Sequence, residues 1–244
     1  MTKKKKIVCL LGIVLLVLML LAILYYKKII SINGWFSSSY EVKGIDVSHY
    51  QGEIDWETIE KQEIAFAFIK ATEGSKTVDD YFKKNWEEAK ETQILLGAYH
   101  FFSFDSDPKT QAENFINTVG SLEKKLPPVV DFEFYGDKEK NPPDIETMRQ
   151  SLKTFLDLLE QQYGRKPILY TTMKAYHMYI EGEFSEYPLW IRNVYYPVNL
   201  DMKGKWTFWQ YSDHMLLDGY RGDEKYIDMN VFVGNKKELE DFIE

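Results

Sequence analysis

The sequence predicts an α/β fold: an eight-stranded barrel of five strand–helix units followed by three strands, preceded by one transmembrane helix. Three observations carry this. From residue 44 to residue 180, short apolar stretches alternate with amphipathic ones, the rhythm of parallel strands and their crossover helices. Beyond Asn193 the strand signals continue while the helical period stops. Ahead of both, residues 7–26 are an unbroken uncharged run dominated by Leu, Ile and Val. A chain of 244 residues suits one such barrel as a single large domain.

The N-terminal run is twenty residues long, and at about 1.5 Å per residue it spans a hydrocarbon core of roughly 30 Å. It ends Leu-Ala-Ile-Leu-Tyr-Tyr-Lys-Lys, without the small-x-small site of a cleaved signal peptide. An uncleaved signal-anchor is expected over residues 1–28. Four lysines precede the run and two follow it, so the positive-inside bias puts the N-terminus in the cytoplasm and the rest outside. Cys9, the only cysteine, lies within the run, so no internal disulfide can form. The exported part carries 24 Lys and Arg against 38 acids, a formal balance of −14. That argues against nucleic acid and anionic membrane surfaces as its ligands. Aromatic content of 16% provides surface for stacking against carbohydrate as well as core.

Residues 29–42 read as a short tether, with Asn33-Gly34 and three serines at 37–39. The barrel domain is expected over 43–244. Its first strand holds Gly-Ile-Asp-Val-Ser (44–48), and Asp55 N-caps a helix after the turn at 49–52. Strands follow at 64–71 and 95–102, with helices at 80–91 and 109–119, the latter started by Asp107-Pro108. The fourth strand lies in Leu-Pro-Pro-Val-Val-Asp-Phe-Glu-Phe-Tyr (126–135), and the helix at 145–163 stops at Gly164. A fifth strand at 167–171 leads to a short Tyr-rich helix at 173–180, and a sixth strand occupies 188–193. The last two, 207–211 and 227–231, are reached through stretches of thirteen and fifteen residues without helical period.

Strand alternation puts Asp131 and Glu133 on one face of the fourth strand. Alone, such a pair describes a solvent-facing strand surface. Barrel enzymes, however, react at the C-terminal ends of their strands, and Asp46 and Asp228 lie on the first and eighth strands, which are neighbours on closure. Four carboxylates at one mouth raise one another's pKa, as a general acid near neutral pH requires.

Asp46-Val-Ser-His-Tyr-Gln-Gly with Ile54-Asp-Trp56, Phe68-Ile-Lys-Ala-Thr-Glu-Gly74, Gly97-Ala-Tyr-His-Phe-Phe102, Pro127-Pro-Val-Val-Asp-Phe-Glu133, Leu189-Trp-Ile191, Trp209-Gln-Tyr211 and Ile227-Asp-Met-Asn-Val-Phe232 resemble the successive blocks of the family 25 glycoside hydrolases, the muramidase lysozymes of bacteria and phage. The resemblance implies a flattened TIM-like (β/α)5(β)3 barrel and cleavage of the β-1,4 bond between N-acetylmuramic acid and N-acetylglucosamine in peptidoglycan. It makes Glu133 the general acid. It makes Asp131 the group that stabilises charge at the sugar carbon or positions the substrate's acetamido group, with Asp46 and Asp228 completing the cluster. Covalent retention, inversion and substrate assistance are all compatible with the acid pair, and similarity to other Asp-x-Glu hexosaminidases favours retention with substrate assistance.

Tyr99, Tyr170, Trp190 and Gln210 sit near strand ends as candidates for sugar stacking and hydrogen bonding, each equally consistent with barrel packing. Arg192 departs from the family, which more often has a small residue there; it can pair with an acid or meet an anionic substrate group. The four histidines show no ligand spacing such as His-x-x-x-His, so neither metal nor cofactor is expected. The expected partners are peptidoglycan strands and, through the N-terminal helix, the membrane, which would stand in for a wall-binding module. The alternatives are a catalytically silent glycan-binding barrel and an N-acetylglucosaminidase.

Overall fold

A computed structural model describes residues 2–243; residues 1 and 244, the outer ends of the first and last expected segments, lie outside it. The chain runs α1 (Lys3–Tyr26), α2 (Ile32–Ser37), β1 (Lys43–Val47), α3 (Trp56–Glu60), β2 (Phe66–Glu73), β3 (Thr77–Val78), α4 (Phe82–Ala89), β4 (Leu95–Phe101), α5 (Pro108–Val119), β5 (Val129–Phe132), α6 (Ile145–Tyr163), β6 (Ile168–Thr172), α7 (Met173–Ala175), β7 (Leu189–Arg192), α8 (Asn199–Met202), β8 (Phe208–Met215), β9 (Ile227–Phe232) and α9 (Lys236–Asp241). The barrel order is β1-β9-β8-β7-β6-β5-β4-β2, closed by β1 against β2, with β3 a two-residue hairpin partner outside it. This is the expected eight-stranded α/β barrel of five strand–helix units and three strands.

Direction supplies what the sequence left open. Strands β1, β2 and β4 to β8 run parallel, while β9 is antiparallel to both β1 and β8. An antiparallel return needs no crossover helix, which is why the β8–β9 connection has none.

Alternation along the strands divides the apolar residues into two cores. Val130 and Phe132 of β5 face outward with Phe115 of α5 and Leu152 and Phe155 of α6. Val129, Ile168, Trp190 and Phe208 point inward with Phe66 and Phe68. Gly97 admits this plug: a Cβ there would lie 2.5 Å from the Phe68 ring. That ring is stacked on Trp190 at 4.4 Å and set edge-on to Phe208, so it has nowhere to move. Gly97→Ala is therefore expected to destabilise the barrel by about 1–3 kcal/mol, read as a lowered thermal midpoint.

Several elements depart from expectation. The stretch 29–42, expected as a short tether, contains α2, in which buried Asn33 donates to the carbonyls of Asn193 (2.8 Å) and Tyr211 (3.0 Å), fixing the helix on the barrel. The Tyr-rich helix is one α turn followed by a π-helical turn, Tyr176–Ile180. Helix α8 interrupts a region without helical period, and α9 was unforeseen although Asn235 and Glu238 form a capping box at its start. Helix α1 is 24 residues long with none buried, long and apolar enough to cross a membrane.

Candidate active site

Asp131 lies near the C-terminal end of β5 with Glu133 just beyond it, and Asp46 lies near the C-terminal end of β1. Asp228 is the second residue of β9. Because β9 runs the other way, its start lies at the mouth where its neighbours end, and Asp228 pairs directly across from Asp46. All four acids line one cleft of about 600 Å³, together with Lys70, Tyr99, Tyr170 and Trp190. That volume is of the size that holds a small ligand.

Two relays determine the charge of Asp46. The Trp190 indole N–H donates to Asn230 Oδ1 at 2.8 Å, and Asn230 Nδ2 donates to Asp46 Oδ2 at 2.7 Å. On the other side, the Tyr170 hydroxyl donates to Gln210 Oε1 at 3.1 Å, and Gln210 Nε2 donates to Asp46 Oδ2 at 2.9 Å. An indole N–H can only donate, so the Asn230 amide has one orientation, with its NH₂ on Asp46. Asp46 is thus built to accept. It also faces Asp228 directly across the β1–β9 pairing, and two buried carboxyls so placed hold one proton between them. Burial raises Asp46 while the bonds from Asn230, Gln210 and Asp228 oppose it. Burial and the nearby charge of Asp46 hold Asp228 well above the usual range, making it the protonated partner.

The other pair is set differently. Burial raises Glu133 to about 7, with Asp46 adding to the rise and Arg192 and Lys70 opposing it. Asp131 is held well above the usual carboxyl range by burial and by the charge of Glu133, with Lys70 opposing the rise; the pair shares one proton, and when Glu133 holds it that repulsion is gone and Asp131 carries the charge beside Lys70. Its Oδ1 is buried without a hydrogen-bond partner among the described residues, an unsatisfied acceptor on a residue that lines the cleft. The site therefore pairs a carboxyl that can hand over a proton near neutral pH with a second carboxyl free to accept a hydrogen bond. That is the equipment for acid-catalysed cleavage of a glycosidic bond.

Residues 45–220 match the model of glycosyl hydrolases family 25. The chain belongs to that family. It is similar to Lysozyme M1 of Streptomyces globisporus, at 32% identity over 214 residues covering 81% of this chain and 70% of that one. A solved family 25 glycosyl hydrolase from Bacillus anthracis is 51% identical, with a TM-score of 0.80 over 84% of this chain and 95% of that chain. A bacterial lysozyme from Streptomyces coelicolor is 31% identical, with a TM-score of 0.74 over 83% and 96%. The family match stops before Asp228; the register opposite Asp46 is what brings that acid into the cluster.

Within this family 25 barrel the candidate sugar-contacting residues divide. Tyr99 and Tyr170 line the cleft. Trp190 also reaches it, but its ring is 2% exposed and stacked on Phe68, so it is chiefly packing that orients Asn230. Gln210 is 1% exposed and works on Asp46. Arg192 pairs with Asp213, its Nη2 lying 2.7 Å from Oδ2. His100 is structural: it lies between Thr72 and Gln111, and burial lowers its pKa to about 4.

Three contributors were missed by the sequence reading. Asn230 is two residues from Asp228 and shares its strand face, so the period-two pattern held the signal. Lys70 stands in the stretch 68–74, on the inner face of β2 with Phe68. Asp213 had no signal, because register shifts on both sides of it break the alternation of β8.

Proposed function

We propose that this family 25 glycoside hydrolase is a muramidase, cutting the β-1,4 bond between N-acetylmuramic acid and N-acetylglucosamine in peptidoglycan. The observation that carries the reading is Glu133, buried in the cleft and held at about 7 beside Asp131. Glu133 protonates the departing glycosidic oxygen. The Asp131 carboxylate accepts the N–H of the substrate's acetamido group, whose carbonyl oxygen attacks the anomeric carbon. Water then opens the resulting ring with Glu133 as base, giving net retention. Asp46 and Asp228 hold one proton between them and fix the field at the mouth. Incubating the full-length protein with purified peptidoglycan is expected to release new reducing ends. After borohydride reduction, mass spectrometry should find them on muramic acid; glucosamine ends would assign the other bond, and no new ends would sink the reading.

Asn230→Ala leaves both Trp190 and Asp46 short of a partner. A hydrogen bond to a charged group is worth roughly 1.5–3 kcal/mol, so kcat/KM should fall roughly ten- to a hundredfold. Steady-state kinetics on glycan oligomers would check this.

The same reading includes an uncleaved anchor, with the N-terminus in the cytoplasm and the barrel outside. Its supports are the lysine asymmetry of the sequence and the packing of Tyr25 and Lys28 against the barrel, the Tyr25 hydroxyl donating to the Tyr195 carbonyl and Lys28 pairing with Asp213. Full-length protein in the membrane fraction, with its barrel digested by protease added outside, is the expected result.

A further inference from the structure

Lys28 is a wall residue of the catalytic cleft although it lies in the segment that joins α1 to the barrel, well before the family match begins at residue 45. Its Nζ is 2.5 Å from Asp213 Oδ2, the oxygen that also takes Arg192 Nη2 at 2.7 Å. The side chain of Asp213 is 18% exposed and that of Lys28 28%. One anion is thus gripped by a cation from the anchor and a cation from β7. The seat has further fastenings: Tyr25 donates to the Tyr195 carbonyl, Lys28 lies over the Tyr195 ring at 5.6 Å, and Asn33 bridges two barrel carbonyls.

We propose that the anchor segment completes the catalytic cleft, with Lys28 a positioning residue for the Asp213–Arg192 pair, so that the enzyme works seated at the base of its own anchor on glycan held against the bilayer surface. This rests on the uncleaved-anchor reading above. The substrate class follows from length. Lys28 is two residues past the end of α1, a reach of at most about 7 Å. The headgroup layer is of similar thickness, being half the difference between roughly 30 Å of hydrocarbon and 40–45 Å of whole bilayer. A cleft wall fixed there meets strands at the outer leaflet first, not the outer layers of a thick wall.

The charges explain why the seat matters to chemistry. Glu133 is faced by Arg192 of β7, Lys70 of β2, Asp46 of β1, Asp131 of β5 and Tyr170 of β6. Asp213 is faced by Lys28 and Arg192 and in turn bears on Asp228. With Lys28 removed, Asp213 draws on Arg192 alone, and the cluster loses one positive charge. Protons then bind Glu133 and Asp228 more tightly.

Two measurements on the full-length protein in lipid vesicles test this. A carbodiimide joins amines to carboxylates in contact, and the Lys138–Asp105 pair, also 2.5 Å apart, serves as the internal control. A Lys28–Asp213 cross-linked peptide is expected; its absence where Lys138–Asp105 is recovered would overturn the seating. Lys28→Ala should lower kcat/KM on soluble glycan oligomers roughly two- to fivefold and move the alkaline limb of the pH profile upward. Lys28→Arg should restore both. A Lys28→Ala enzyme with the wild-type limb would overturn the positioning role even if the cross-link forms. A wild-type protein inactive on every glycan would instead count against the muramidase reading, and the cross-link would still decide the seating.

Discussion

Glu133→Gln protein is expected to lose about 10²- to 10⁴-fold in kcat on polymeric glycan while becoming more stable than wild type above neutral pH. The first effect follows from removing the proton donor assigned to the leaving oxygen. The second follows from linkage. Folded Glu133 titrates at about 7 against an ordinary 4.5, so between those values the folded state keeps a proton that the unfolded state has released. Stability then falls as pH rises through this window. Its contribution is intact below about 4.5 and fully lost above about 7, a difference of about 3 kcal/mol. Glutamine carries no such penalty. Thermal midpoints measured at pH 4 and pH 8 should therefore diverge only at pH 8, with the variant higher. An inactive variant that is also less stable at pH 8 would have failed through misfolding, and an active one would remove Glu133 from the mechanism. In wild type, kcat/KM should decline as pH rises through about 7, where the acid loses its proton.

That buried acids lower stability explains part of what the sequence made legible. Asp131 and Glu133 on one strand face, with Asp46 and Asp228 on two other strands, make little sense as scaffold, since acids are seldom buried without partners. Strand alternation and barrel order were enough to place them at a single mouth. Direction was not legible: nothing in Ile-Asp-Met-Asn-Val says that β9 runs backwards, and only the register of Asp228 against Asp46 shows why an acid at the start of a strand meets acids at the ends of others. Nor can an aromatic at a strand end announce whether it will stack on a sugar or on Phe68, as Trp190 does, because both uses ask for the same flat apolar surface. The docking of α2 within residues 29–42 was illegible for a related reason. Small polar residues favour a loop when exposed, yet Asn33 is among the few side chains able to donate to two backbone carbonyls at once.

Asp131→Asn poses the sharpest question about mechanism, and its expected cost is second only to that of Glu133→Gln. If Asp131 orients the acetamido group, its carboxylate, charged when Glu133 holds the proton the pair shares, strengthens the hold on the amide N–H as that nitrogen gains positive charge during attack. The interaction is therefore stronger in the transition state than in the ground state. Asparagine keeps the shape and an acceptor oxygen but not the charge. Losing such electrostatic stabilisation costs roughly 10²- to 10³-fold, and it should appear in kcat with KM little changed. A second substrate turns this into a cycle. Glycan whose muramic acid carries a free amine has no acetamido group to orient, so wild type should lose activity on it, and Asp131→Asn should add little further loss. Substrate and side chain would then be acting as one unit. If the two losses instead multiply, Asp131 acts directly on the sugar carbon, by bonding to it or by stabilising its positive charge. The anomer first released, read by NMR before mutarotation, supplies the independent check: retention is expected, and inversion would exclude both the acetamido route and a covalent one.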